Sequence, residues 1–540
     1  MGSLQRSTWA FAGVVIVFLV VAYLILSSPN VADPDSFYHI RHASIYRTNG
    51  IAQKAFPWVQ YSVIRTYAAD IWYGFHIILI PFTFFSDLFF GLRVGSVVFS
   101  TLVVLLILVA FYRLELQSPF AWLAILFSCS TDMIFRTIML RPHPFSLAFA
   151  LLLFGALTLP PRGSARRRRV ERMLIFALGM LSAWLHLALL WLPILVYLTV
   201  ALWGLVFKSR RRAAQVSAGW RDGMALLSGV GVGCLSRPNP LGALQIAYVQ
   251  VVGLLGAKGL PLKIGNELRP MAPRFFFVEL WPLLVVFGFA IVLFLRRELS
   301  KGPHARGATQ SSSIMLWSSL SLSLGFLALT FVVARRSLEL FLAFAVIFVA
   351  KALQEHVRQA SGRRTLLGLG ERAFLGSLVV SFAIFGGLHT FPMFQTYMSR
   401  GYSPKLLRES ALWLKAHAEP NAIVFNPNWD RFGQLFFWNP NNYYINGMDP
   451  IFEYAYDPSL YWKTHYYSSD EAAAATCGAI QCTEAQLSPT IDVLRHDFHA
   501  KYVVVEKDRT PNFYEYLSAS PDYANVLDGV HDAVFELNSP

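Results

Sequence analysis

The chain has 540 residues, of which 55% are hydrophobic and only 14% are charged. A soluble globular chain carries roughly 25% charged residues, so the composition excludes an ordinary soluble enzyme and indicates a membrane protein. The net charge of +14 does not indicate a nucleic-acid partner. The basic residues are divided among short loops, whereas a nucleic-acid binder carries them on one continuous face.

The first apolar run, residues 8–26, is long enough to cross hydrocarbon, which takes roughly 20 residues. It lacks a clear small-residue cleavage site, so we interpret it as a retained helix and not as a signal peptide. Further apolar runs bring the prediction to about eleven crossings. The predicted spans after the first are 93–112, 119–136, 144–159, 173–190, 191–207, 223–236, 276–295, 312–333, 337–353 and 373–391.

Arginine clusters in the short loops set the predicted orientation. They lie at 166–169, 210–212, 296–297 and 363–364, and the positive-inside rule assigns them to the cytoplasmic side. The N-terminus is then inside, and loops 28–92 and 237–275 are outside. The segment Trp72–Phe85 is short, aromatic and interrupted by Pro81, so we interpret it as an interfacial or re-entrant helix. The chain is thus predicted to be a multi-pass protein of the inner (cytoplasmic) membrane.

The composition changes after residue 391. Residues 392–540 are rich in Asn, Asp, Tyr and Pro, with short apolar runs such as 502–505. We expect a soluble α/β domain of ordinary size, placed in the periplasm or otherwise outside, after a transmembrane domain at 1–391. An oxidising compartment would permit a disulfide between Cys477 and Cys482, but two free thiols fit the sequence equally well.

Polar residues collect on the predicted outer side. The acidic loop, residues 33–41, reads Asp-Pro-Asp-Ser-Phe-Tyr-His-Ile-Arg and follows the first span directly. Later outer positions carry Arg136, Arg141, His143, Glu267, Arg269, Arg335 and Arg336, and Glu339 follows inside the next predicted span. A solvated loop and snorkelling arginines are the simpler interpretation of each residue alone. Together they suggest a site for a phosphorylated ligand, because arginine forks match phosphate oxygens.

The acidic loop resembles the first outer loop of the GT-C superfamily of membrane glycosyltransferases. Its Asp-x-Asp followed by aromatic-His-x-Arg is most similar to the catalytic subunit of oligosaccharyltransferases. The resemblance implies a catalytic role for Asp35, with Asp33 as the upstream acid and Glu267 as the loop glutamate. It also implies that Arg335 or Arg336 binds the lipid phosphate, and we add Arg141 to that group.

Two departures from the family pattern concern the metal and the acceptor. Where the family has a metal-binding acid pair, this chain has Arg141-Pro142-His143. The candidate ligands for Mg²⁺ or Mn²⁺ are then Asp35, Glu267 and His143. Where the family has Trp-Trp-Asp for reading a glycosylation sequon, this chain has Asn428-Trp429-Asp430. Trp429 and Asp430 are the predicted acceptor contacts, and the missing tryptophan argues against the standard sequon.

The resemblance therefore implies a glycosyltransferase that uses a polyprenyl-phosphate-linked or pyrophosphate-linked donor. The acceptor would be a glycan, a lipid or a protein, in contact with membrane lipids. The alternative is a transporter or flippase, or a ligase, for a polyprenyl-linked or anionic lipid. Transporters place polar groups near the bilayer midplane, whereas the polar groups here are predicted at the outer surface. The sequence favours the enzyme for this reason.

Overall fold

A computed structural model describes residues 3–159, 165–207, 219–299, 310–361 and 369–538. The predicted cytoplasmic arginines at 210–212 and 363–364 lie outside these ranges. The helices of the first half of the chain are α1 (Ser3–Leu26), α2 (Asp35–Asn49), α3 (Val63–Tyr67), α4 (Tyr73–Leu79), α5 (Leu88–Arg113), α6 (Pro119–Ser128), α7 (Thr131–Thr137), α8 (His143–Thr158), α9 (Ala165–Leu185), α10 (Trp191–Val206), α11 (Trp220–Leu235), α12 (Pro240–Tyr248) and α13 (Leu254–Gly256). Those of the second half are α14 (Pro273–Leu299), α15 (Gln310–Val332), α16 (Leu338–Ser361), α17 (Leu369–Phe385), α18 (Phe391–Ser399), α19 (Arg408–His417), α20 (Phe432–Trp438), α21 (Pro450–Tyr456), α22 (Pro458–Ser468), α23 (Thr490–Asp492) and α24 (Pro511–Ala519).

The chain divides into two compact units. The first, called the helical unit, comprises residues 1–28, 96–234 and 266–400. The second, called the mixed unit, comprises residues 29–95, 235–265 and 401–540. Most of the two predicted outer loops thus belongs to the same compact unit as most of the C-terminal region.

Six helices in the described ranges are long and apolar enough to cross a membrane. They cover Leu88–Arg113, Leu187–Val206, Pro273–Leu299, Ser312–Val332, Arg335–Arg358 and Ala373–Ser399. Shorter apolar helices lie at Phe11–Leu26, Tyr73–Phe84, Pro119–Ser128, His143–Thr158 and Pro240–Gly256. Every predicted span therefore coincides with one helix or with a pair of helices, because runs of this length and hydropathy satisfy their backbone hydrogen bonds as helices.

The structure adds two details to the predicted spans and loops. The single span predicted at 119–136 is broken into α6 and α7, because Ser130 adopts an extended backbone conformation between them. The loop predicted at 237–275 contains α12 and α13. The first of these begins where the Asn239 side chain accepts a hydrogen bond from the Gly242 amide and Pro240 occupies the first turn, which are both typical helix starts.

A five-stranded sheet in order β2-β1-β5-β7-β6 forms the centre of the C-terminal part of the mixed unit. The strands are β1 (Ile423–Phe425), β2 (Tyr443–Tyr444), β3 (Ala475–Thr476), β4 (Ser488–Pro489), β5 (Tyr502–Glu506), β6 (Tyr523–Asp528) and β7 (Asp532–Leu537). β1 is parallel to β2 and β5, whereas β5, β7 and β6 run antiparallel. The apolar run 502–505 is fully buried in β5, which explains its lack of alternation. Cys477 and Cys482 form a disulfide, with their Cα atoms 6.0 Å apart.

Candidate functional site

The neighbouring residues Arg335 and Arg336 of the helical unit have different surroundings. They lie in one 3₁₀ turn, Arg335–Ser337, just before α16, and successive side chains of such a turn point about 120° apart. Arg335 donates to both carboxylate oxygens of Asp132, with Nε–Oδ2 at 2.6 Å and Nη2–Oδ1 at 2.8 Å. Glu279 lies 3.8 Å from the same guanidinium. The charge of Arg335 is therefore compensated inside the helical unit.

Arg336 is half-buried and makes no hydrogen bond or ion pair with any residue in the described ranges. It lies within electrostatic range of Arg136, Arg141, Glu267 and Glu339. A guanidinium withdrawn from bulk water without a protein acceptor is unfavourable unless water or a ligand completes it. Arg336 is thus an available cation among residues that come from three separate segments of the chain.

Glu339, the second residue of α16, contacts two further members of this group. Its Oε2 accepts from Arg136 Nε at 3.1 Å and lies 3.9 Å from His143 Nε2. The His143 Nε2 atom is buried and has no hydrogen-bond partner in the part of the chain that the structure describes. Nearby, His186 Nδ1 and Ser146 Oγ are 3.2 Å apart. A buried polar atom without a partner is rare, and here it indicates space for a further polar group.

Glu267 completes the group from the short 3₁₀ turn Asn266–Leu268. Its Oε1 lies 3.7 Å from Arg141 Nη1, and about a third of its side chain is exposed (34%). Burial acts to raise the pKa of Glu267, but the positive charges of Arg141 and Arg136 outweigh it and lower the pKa. Glu267 is therefore an ionised partner of arginine at neutral pH.

The arginine cluster, as we call this group, has more positive than negative groups. Its members are Arg136, Arg141, His143, Glu267, Arg336 and Glu339. Three guanidinium groups face two carboxylates, which leaves one positive charge when His143 is neutral. Such a balance, with guanidinium forks, suits an anionic oxygen ligand.

The donor set of the arginine cluster does not suit Mg²⁺, which selects carboxylate and carbonyl oxygens. Of the three predicted ligands, Glu267 and His143 belong to this cluster, each within reach of arginine charge. Asp35 belongs to the mixed unit. The use of Mg²⁺ or Mn²⁺ stays a prediction.

In the mixed unit, the two acids of the acidic loop lie at the start of α2. Asp33 is buried, and its Oδ2 accepts from the Ser36 amide at 3.1 Å and the Ser36 hydroxyl at 3.3 Å. This contact caps the N-terminal end of α2 and stabilises the helix. Asp35 is the first residue of α2 and is only partly buried. The structure therefore assigns Asp33 a local structural contact and leaves Asp35 more accessible.

Tyr402 brings the acidic loop together with the predicted acceptor residues. Burial raises the pKa of its phenol, and the carboxylates of Asp430, Asp33 and Asp35 raise it further. The Arg431 guanidinium stacks over the same ring at 5.6 Å. The mixed unit thus gathers Asp33, Asp35 and Asp430 around one aromatic side chain. Tyr402 was not predicted from the sequence, because no motif surrounds it.

Trp429 and Asp430 are both engaged within the mixed unit. The Trp429 indole donates to the Lys263 carbonyl at 2.9 Å. Asp430 accepts from Arg509 Nη1 at 3.0 Å on each of its two oxygens, and it lies 3.5 Å from Arg431. Their predicted role as acceptor contacts stays a prediction, and any acceptor that used Asp430 would compete with Arg509.

A close backbone approach fixes the acidic loop against α20. A Cβ atom on Gly433 would lie 2.4 Å from the Pro34 carbonyl oxygen, which is closer than any carbon side chain tolerates. Arg41 Nε donates to the Phe437 carbonyl, near the end of α20, at 2.7 Å. The glycine of the Asn-Trp-Asp-Arg-Phe-Gly segment and the arginine of the acidic loop therefore serve one packing contact.

These observations describe a protein with several membrane-length helices, a cluster with excess positive charge in its helical unit and an acidic loop in its mixed unit. Neither a protein-family model nor a curated protein sequence matches the chain. Among solved structures, ArnT from Cupriavidus metallidurans in the apo state matches with a TM-score of 0.53 and 13% identity over 98% of each chain. ArnT bound to undecaprenyl phosphate matches with a TM-score of 0.52 and 12% identity over 99% of this chain and 98% of that chain. At this identity the likeness shows the fold, and the predicted polytopic helical membrane fold with a C-terminal α/β region is confirmed.

Proposed function

We propose that the chain is a GT-C-type glycosyltransferase that moves a sugar or glycan from a polyprenyl-phosphate-linked donor to an acceptor. The observation that carries this proposal is Arg336, half-buried and without a protein partner in the described ranges, in a fold like that of ArnT. The solved structure of ArnT bound to undecaprenyl phosphate supports a polyprenyl phosphate as the ligand class.

In this proposal the arginine cluster holds the donor phosphate. Arg336 supplies an uncompensated guanidinium. Arg141 adds a second guanidinium, whose Nη1 lies 3.7 Å from the partly exposed carboxylate of Glu267. The unpartnered Nε2 of His143 adds one further polar contact. When the bond between sugar and phosphate breaks, negative charge grows on the departing phosphate, and fixed cations in a water-poor site stabilise it. Arg335 is left out of this role because Asp132 already occupies its fork.

The acidic loop supplies acceptor activation. Asp35 is the proposed base that removes a proton from the acceptor hydroxyl or amide, or that fixes its orientation. Asp33 acts through α2, whose first turn it caps. The Asn428-Trp429-Asp430 segment lacks the paired tryptophan of the oligosaccharyltransferase pattern. We therefore propose a glycan, lipid or protein acceptor other than the standard sequon.

The mixed unit is proposed to lie outside the cytoplasm. The Cys477–Cys482 disulfide supports this orientation, since disulfides persist in oxidising compartments. The arginines at 166–169 begin α9 and fit a cytoplasmic position. Reporter fusions after Arg169 and after Pro540 should then report opposite sides of the membrane, and equal sides would contradict the orientation.

The central test measures binding of undecaprenyl phosphate to the full-length protein in nanodiscs. Arg336→Gln should weaken binding about 10–100-fold, the range that one charge-assisted contact represents. The matched control is Arg269→Gln, which removes one positive charge from an exposed side chain of the same unit and should leave the affinity within about twofold. Equal affinity of Arg336→Gln and the wild type would overturn the donor site. Movement of the lipid between leaflets without any sugar transfer would favour the transporter instead.

A further inference from the structure

A second chemically active cluster lies entirely within the mixed unit, and the proposed glycosyl transfer does not use it. The histidine cluster consists of His42, Asp70 and His76, whose candidate ligand atoms all lie within 4.8 Å of one another. His42 is 5% exposed and His76 is fully buried. The Asp70 side chain is 8% exposed. Two imidazoles and a carboxylate are thus withdrawn together from solvent.

Local structure explains why these side chains meet. His39, His42 and Tyr46 are spaced three and four residues apart on α2, so they share one face of the helix. Asp70 precedes α4, where its Oδ1 accepts from the Trp72 amide at 2.8 Å. His76 lies one turn into α4 and stacks on His42, with ring centroids 4.2 Å apart. The spacing of the histidines on α2 was visible in the sequence, but their partner on α4 was not.

Neighbouring groups hold both histidines through the ring nitrogen that a metal does not need, and they also hold the Asp70 carboxylate. His42 Nδ1 lies 2.9 Å from the Tyr38 hydroxyl. The Tyr46 hydroxyl donates to Asp70 Oδ2 at 3.0 Å. His76 Nε2 lies 2.8 Å from His39 Nδ1. Histidines that bind metal ions almost always use their second ring nitrogen in this manner, which fixes the tautomer and the orientation of the ring.

We propose that the histidine cluster binds one divalent transition metal of the zinc class through His42 Nε2, His76 Nδ1 and an Asp70 carboxylate oxygen. Two imidazole nitrogens with one carboxylate favour such a metal over Mg²⁺ or Ca²⁺, which select oxygen ligands. Three protein ligands leave one coordination position for water. This proposal is independent of the glycosyltransferase function.

Binding of the metal requires one small change in the cluster. His76 Nδ1 and Asp70 Oδ2 are now 2.6 Å apart and share a proton. Two ligands at about 2.0 Å in tetrahedral geometry are about 3.3 Å apart, so the pair must separate slightly. His76 must then carry its ring proton on Nε2, facing His39 Nδ1, which leaves Nδ1 free to bind the ion. The ion would then cross-link α2 to the segment that contains Asp70 and α4. It would stabilise the helix whose first residue is Asp35 without itself reaching a substrate.

The experiment uses the full-length protein in detergent, stripped of metal and then titrated with ZnCl₂ or CoCl₂. We expect about one zinc ion per chain, and a Co²⁺ derivative with the visible spectrum of a four-coordinate site without thiolate. His42→Ala and His76→Ala should each lose the bound zinc. His39→Gln should keep it with affinity about 10–100-fold weaker, the usual effect of losing an outer hydrogen-bond partner. The exposed His531→Ala is the control and should bind zinc as the wild type does.

Measurements on the wild type keep the proposal testable if a variant does not fold. ZnCl₂ should raise the unfolding temperature of the wild-type protein, because a ligand that binds only the folded state stabilises it. Absence of zinc above background and of a Co²⁺ spectrum in the wild type would overturn the site and leave Asp70–His76–His39 as a hydrogen-bonded chain. Full zinc binding by folded His42→Ala would overturn the ligand set.

Discussion

The arginine cluster of the helical unit and the acidic loop region of the mixed unit both contain charged side chains, but they differ in how many of these side chains have hydrogen-bond partners within the protein. In the arginine cluster, Arg336 and His143 Nε2 make no hydrogen bond within the described ranges. Around the acidic loop, Asp33 caps α2 and Asp430 pairs with Arg509. A ligand can enter the first region without breaking a protein contact, whereas in the second it must compete with one. The groups proposed to bind the donor phosphate are therefore available to a ligand, whereas the groups near the proposed acceptor site are already paired within the protein.

The largest expected effect concerns Asp35, which is only partly buried, whereas the neighbouring Asp33 is buried and caps α2. Asp35→Asn keeps the size and removes the charge, so sugar transfer should slow by roughly two to four orders of magnitude, the scale of a lost general base. Asp33→Asn is the matched comparison. Asparagine also caps helices, so that variant should lose less than about tenfold. Turnover measured with a polyprenyl-linked sugar donor decides between them, and an unimpaired Asp35→Asn protein would reduce the loop to a structural part.

The contrast between Arg335 and Arg336 should appear in stability as well as in binding. Arg335→Gln removes the guanidinium that donates to both oxygens of Asp132. The largely buried carboxylate is then unpaired, which lowers the free energy of unfolding by about 1–3 kcal/mol. Arg336→Gln breaks no protein contact in the described ranges and should leave the unfolding temperature nearly unchanged. Thermal unfolding in one detergent measures both. A destabilised Arg336→Gln protein would mean that this guanidinium also has a structural role.

Asp430→Asn tests whether Asp430 serves mainly to pair with neighbouring arginines or also binds the acceptor. The change weakens the pairs with Arg509 and Arg431, and we expect a loss of about 0.5–1.5 kcal/mol in stability, the size of one ordinary hydrogen bond. Acceptor affinity should change little. A competition assay between a sequon peptide and glycan or lipid acceptors provides the readout. Efficient transfer to the peptide asparagine that disappears with Asp430→Ala would restore the oligosaccharyltransferase interpretation.

A last effect is expected where the acidic loop packs on α20. Gly433→Ala places a methyl group against the Pro34 carbonyl, so the loop must shift, and overpacking of this kind costs about 1–3 kcal/mol. Because Asp35 adjoins Pro34, turnover should fall moderately while the affinity for undecaprenyl phosphate stays unchanged. Gly231→Ala is the control, since a Cβ there meets open space. A selective loss of donor binding in Gly433→Ala would break the separation between the two regions.

Long apolar runs in the sequence were enough to predict the positions of nearly all the long helices. Apolar runs of about 20 residues leave few alternatives to a membrane helix, and the predicted spans coincide with helices for that reason. The break at Ser130 and the helix at Pro240–Tyr248 were missed. Short helices and breaks depend on single caps and extended residues, whose signal in the sequence is weak.

Composition and local spacing were enough to recognise a membrane protein, the acidic loop and the arginines between the apolar runs. Only the tertiary structure decided which arginine is compensated, since Asp132 reaches Arg335 from 203 positions away and leaves Arg336 available. It also decided that His42 meets Asp70 and His76. Partners in space follow from the packing of distant segments, and no local pattern in this chain encodes that packing.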